Sequence, residues 1–157
     1  MPRIIVLLLF AMIFNVNASQ NVERWSYDTA MAGMTLDNKS GDSISVLFQP
    51  LTFCYSTPAL FPSAVYDDYH GQMYIDSQAL NVKVDTISLP NGTKSIYVCT
   101  NSQDAAEYAI DKLWGNSMIT IRWAGIGGNF TSNGFKESLI ALTNELKKIK
   151  PNNKPAL

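Results

Sequence analysis

The amino-acid sequence predicts an α+β domain: an antiparallel β-sheet or small β-sandwich with two helices near its C-terminus. Three observations lead there. Apolar and polar residues alternate with strand period through several segments, two late segments switch to helical period, and Asn- and Gly-bearing turns separate them. Clean alternation suits antiparallel pairing, because such a sheet can cover one face and wet the other.

Residues 1–18, MPRIIVLLLFAMIFNVNA, hold one basic residue, Arg3, then an unbroken apolar run from Ile4 to Phe14 and a polar, small-residue end. This is the plan of a secretory signal peptide. The run is about eleven residues, whereas a helix needs about twenty to cross a bilayer of roughly 30 Å. Val16 and Ala18 occupy the −3 and −1 positions of an A-x-A-like site, so cleavage is expected after Ala18. A single exported domain over residues 19–150 and a short basic tail at 151–157 complete the expected organisation, with no membrane span in the mature form.

Ile44, Val46 and Phe48 alternate with Ser43, Ser45, Leu47 and Gln49, after the turn Asp37-Asn38-Lys39-Ser40-Gly41-Asp42. A half-buried strand reached through a hairpin follows, its partner lying around residues 30–36. Leu80, Val82 and Val84 alternate with Asn81, Lys83 and Asp85, and a further strand covers residues 95–100. Between them, Pro90-Asn91-Gly92-Thr93 is the strongest hairpin signal, since Asn-Gly supplies the two positive-φ positions of a type I′ turn. Residues 118–123 form a strand with Ile119, Ile121 and Trp123 on one face and Thr120 and Arg122 on the other. Gly125, Gly127 and Gly128 are expected to break it.

The pairs Ala105/Ala106, Ala109/Ile110 and Leu113/Trp114 recur every four residues after the cap candidates Asn101 and Ser102. They predict a short amphipathic helix stopped by Gly115. Phe135, Leu139, Leu142, Leu146 and Ile149 recur at spacings of four and three, an apolar stripe that docks a second helix on its own sheet before Pro151 ends it.

Composition narrows the class. With 46% apolar and 16% charged residues, the chain is neither collagen, coiled coil nor disordered tail. Its 12 Lys and Arg against 13 Asp and Glu argue against a nucleic-acid partner. The charges are unevenly placed: residues 19–146 carry 7 basic and 13 acidic groups, net −6, while Lys147, Lys148, Lys150 and Lys154 crowd the end. Cys54 and Cys99 are the only cysteines, and in an exported chain a disulfide between them is expected.

The single histidine, His70, stands in Tyr66-Asp67-Asp68-Tyr69-His70. Imidazole beside carboxylates is the material of a general base or a metal site, so a small periplasmic hydrolase or metal-dependent enzyme centred on His70, Asp67 and Asp68 is the alternative reading. Against it, no serine sits in a G-x-S-x-G setting, one histidine falls short of a zinc ligand set, and Asp67, Asp68 and Asp76 lack calcium-loop order. Gly125-Ile126-Gly127-Gly128 lacks the spacing of a dinucleotide fingerprint and reads as a hairpin or bulge. No cofactor and no metal are expected. Asn38, Asn91 and Asn129 each open a glycosylation sequon in a predicted turn, and are expected to be unmodified in a bacterial chain.

Residues 54–62 and 66–74 are dense in aromatics and proline. A loop pinned by a disulfide and carrying such side chains offers contact area at small entropic cost. Tyr55, Phe61, Tyr66, Asp67, Asp68 and Tyr69 are therefore the expected partner-contact patch. On an acidic body, a basic partner is the electrostatic expectation.

Trp25 near the start, a strand "IYVCT", a helix "SQDAAEYAIDKLWGN", a strand "SMITIRW" and a final "NGFKESLIAL" follow one another in a pattern that resembles the invasion-associated locus B family of small exported bacterial proteins. The resemblance covers residues 95–142, and the chain departs from the family in having no cysteine near Trp25. It implies a β-sandwich-like periplasmic domain without a known catalytic centre. Together these readings give a non-enzymatic periplasmic or secreted protein, acting by binding another protein as an inhibitor, an immunity factor or an envelope or virulence accessory.

Overall fold

A computed structural model describes residues 24–59 and 69–149, with the backbone alone at 69 and 70. The expected signal peptide and basic tail lie outside these residues. Within them, short strands β1 (Ser26–Asp28), β2 (Gly33–Asp37), β3 (Ser43–Phe48) and β4 (Leu51–Pro58) form a meander. Strands β5 (Tyr69–Ile75), β6 (Gln78–Ser88) and β7 (Lys94–Thr100) follow, then helix α1 (Gln103–Gly115), strands β8 (Met118–Trp123) and β9 (Ile126–Thr131), and helix α2 (Phe135–Ile149). The strands make one antiparallel sheet in the order β1-β2-β3-β4-β7-β6-β5-β8-β9. The fold is α+β, built on a single curled sheet.

Curling brings the sheet's two ends together. The indole N–H of Trp25, just before β1, donates to the carbonyl of Thr131 at the end of β9 (3.2 Å), and the Ser138 hydroxyl of α2 donates to the Trp25 carbonyl (3.3 Å). The Trp25 ring meets Phe135 edge-on at 4.9 Å. Inside lies one apolar core, in which Met34, Ile44, Val46, Phe53, Val82, Val98, Ile121 and Phe130 from the sheet meet Ala106, Ala109 and Leu113 of α1 and Phe135 and Leu142 of α2. The apolar stripe of α2 docks as its spacing predicts, although its last member, Ile149, is 60% exposed.

Four local expectations change. The stretch 54–58, read as part of a pinned loop, is strand β4, and residues 69–74 belong to β5. The β4 pattern hides because both its faces are covered: Phe53, Tyr55 and Thr57 point one way, Cys54 and Ser56 the other, and all five are buried. The β6–β7 turn has positive φ at Gly92 alone; Gly92 N–H donates to the Leu89 carbonyl, a type I turn closed by a left-handed glycine. β8 ends in a hairpin at Gly125 as expected, the two-residue turn Ala124-Gly125 having positive φ at both positions, but Gly127 and Gly128 lie inside strand β9. Finally, Gly115 lies within α1, which stops at Asn116 in extended conformation.

Candidate functional site

The disulfide is present. Cys54 and Cys99 face each other across β4 and β7 and are joined. Phe61, Tyr66, Asp67 and Asp68 lie outside the described residues, and Tyr69 and His70 are placed by backbone only, opposite Val84 and Lys83. Tyr55, expected at a contact surface, is a core residue: it is fully buried and its ring packs edge-on against Phe130 at 6.2 Å. Strand alternation put it inside, and reading residues 54–62 as a loop concealed that.

Tyr55 ends in a small polar cluster. Its hydroxyl makes no hydrogen bond of normal geometry, with Thr57 and the buried Asp42 near enough to act on it. Burial pushes the phenol up to about 12, Thr57 partly opposing and Asp42 adding to the rise. A phenol held neutral so far above pH 7 is a poor general base. The side chains of Asn38 and Asp42 also approach Gly128 of β9. Among the described residues, no group of three or more His, Cys, Asp or Glu side chains is placed to hold a metal. Asp76, once a calcium candidate, accepts a hydrogen bond from the Thr120 amide at 3.0 Å.

Of the three sequon asparagines expected in turns, Asn38 and Asn91 serve them, whereas Asn129 lies within strand β9 opposite Thr120. Asn38 Oδ1 accepts from the amides of Ser40 (2.9 Å) and Asp42 (3.0 Å), and Asn91 Oδ1 accepts from the amide of Thr93 (3.0 Å). Asn129 Oδ1 accepts from the Thr120 hydroxyl across the β8–β9 hairpin at 2.8 Å.

Comparison with protein-family models, curated proteins and solved structures finds no match. The site must be read from the geometry alone.

On the outer face of β5, β8 and β9, three residues lie in one cross-strand row: Tyr74 opposite Arg122, and Arg122 opposite Gly127. Arg122 is exposed and Tyr74 is 43% exposed. Along β8 on the same face come Thr120 and then Met118, itself 54% exposed. Beside them, Thr120, Arg122, Gly125, Ile126, Gly127, Gly128 and Asn129 line an open groove of about 360 Å³. Tyr, Arg and Met are the side chains that anchor protein interfaces. Sequence reasoning had Arg122 and Thr120 on the polar face of their strand and Tyr74 in the aromatic stretch. What it lacked was the pairing of β5 with β8, which sets Tyr74 opposite Arg122, 48 residues further on, a contact that no local pattern encodes.

Among the described residues no helix is long and apolar enough to cross a membrane.

Proposed function

We propose that this chain is a non-enzymatic exported protein, periplasmic or secreted, that works by binding another protein, as an inhibitor, an immunity factor or an envelope-associated accessory. The observation that carries the reading is the exposed Tyr74–Arg122 pair, flanked by Met118, on the outer face of the sheet. Tyrosine and arginine set side by side on an exposed face are the side chains that most often anchor a protein interface once a partner covers them. Export is supported by residues 1–18 and by the disulfide, a bond that persists outside reducing compartments. The resemblance of residues 95–142 to the invasion-associated locus B family points the same way. A body of net −6 favours a partner that is basic overall.

The test is recovery of a specific partner from envelope extract with the purified chain as bait, followed by affinity and thermal stability of Tyr74→Ala. Truncating an anchor should weaken binding by about 1–3 kcal/mol and leave the melting temperature nearly unchanged. Absence of any specific partner at micromolar bait, together with turnover of a small substrate, would overturn the proposal in favour of the enzyme reading on His70, Asp67 and Asp68.

A further inference from the structure

We infer that the groove between β8 and β9 is a carboxylate-binding subsite that receives an Asp or Glu side chain of the protein partner. This rests on the protein-binding reading and adds the chemistry of one contact. Among the described residues, the groove is lined by one cation, Arg122, and by no carboxylate; the rest is Thr120, Asn129, the glycines 125, 127 and 128, and two isoleucines. On a body with 13 acidic groups against 7 basic over residues 19–146, an acid-free lining around an arginine is a local inversion of the general charge.

The remaining groups suit an anion. The Thr120 hydroxyl donates to Asn129 Oδ1, which fixes the amide and leaves its NH2 end as a donor. Asp76, the acid hydrogen-bonded beside the groove, is engaged by the Thr120 amide and does not line it. Gly127 keeps the floor low, because a Cβ there would fall on the Ile121 carbonyl. A guanidinium matches a carboxylate with two parallel hydrogen bonds, which fixes orientation as well as adding affinity. A partner that is basic overall but places one acid on Arg122 would be held in a single register by opposite charges on both sides.

The experiment follows the amide and side-chain resonances of the isotope-labelled chain by NMR during titration with N-acetylglutamate amide, its glutamine counterpart and inorganic phosphate. The glutamate probe should shift Gly127, the Asn129 side-chain amide and the Arg122 guanidinium, the glutamine probe should not, and Arg122→Gln should abolish the response. Equal shifts with the glutamine probe, an unchanged response in R122Q, or a response to phosphate alone would overturn the assignment, the last marking a free-anion site. With a partner in hand, R122Q should weaken binding about 10-fold or more. If R122Q binds that partner like the unaltered chain, the subsite falls and the protein-binding reading stands. If no partner exists, the subsite falls together with that reading, even where the glutamate probe titrates.

Discussion

A Cβ added to Gly127 would meet the backbone of Ile121 and Arg122, and its φ of 148° is one that L side chains rarely adopt. Gly127→Ala should therefore lower stability by about 2 kcal/mol or more, visible as a fall in melting temperature. Gly128→Ala should cost less, since its Cβ would meet the Asn38 side-chain nitrogen at 3.2 Å rather than backbone at under 3 Å. Tyr55 offers a second contrast. Tyr55→Phe deletes a buried hydroxyl without a normal hydrogen bond and should be close to neutral, whereas Tyr55→Ala should cost about 3–5 kcal/mol in chemical denaturation. Burial also pushes Tyr97 up to about 12, Ser56 opposing and Asp37 adding to the rise. Both phenols thus keep their protons in the folded chain above the ordinary value of about 10. The stability that comes from keeping them neutral is complete below that value and is lost as pH climbs towards about 12. A tyrosinate absorbance titration alongside unfolding curves should show stability falling across that alkaline window, with a smaller fall in Tyr55→Phe.

Helix α1 begins where Ser102 accepts a hydrogen bond from the Ala105 amide at 3.3 Å, in extended conformation. Ser102→Ala should cost about 1 kcal/mol, measured by thermal unfolding, and should leave the outer face of β8 untouched. Sequence narrowed this cap to Asn101 or Ser102 because capping is local chemistry, legible within four residues, and the structure selects Ser102. Strands β6 and β8 and both helices were readable for a related reason: each buries mainly one face, so composition oscillates at the period of the backbone; β3 is buried on both faces and still alternates because Ser43 and Ser45 fill its second face, and β7, also buried on both, was located by the turn before it. Strand β4 is covered on both sides and β9 carries two glycines, so neither oscillates, and β1 has three residues. The Tyr74–Arg122–Gly127 row was not legible at all, because it exists only once β5 lies beside β8.

Across the whole molecule, the disulfide joins the β1–β4 meander to the second half of the sheet through the β4–β7 seam. It closes a loop with a sequence separation of 45 residues, worth roughly 4 kcal/mol in the chain-entropy view. Replacing both cysteines by serine should lower the denaturation midpoint accordingly, and the unreduced native chain should show no free thiol by mass spectrometry. Curling also guards the sheet's ends: α2 packs on β1 and β2, and Trp25 occupies the end of β9. Strand-on-strand pairing with another chain is thereby discouraged. The Trp25 latch has a temporal meaning as well. Its two acceptor and donor partners lie 106 and 113 residues further along the chain. Contacts so distant in sequence form late in folding. A chain emerging N-terminus first, from a ribosome or through a membrane pore, exposes Trp25 long before Thr131 and Ser138 arrive to meet it. The sheet stays unlatched until Ser138 has emerged.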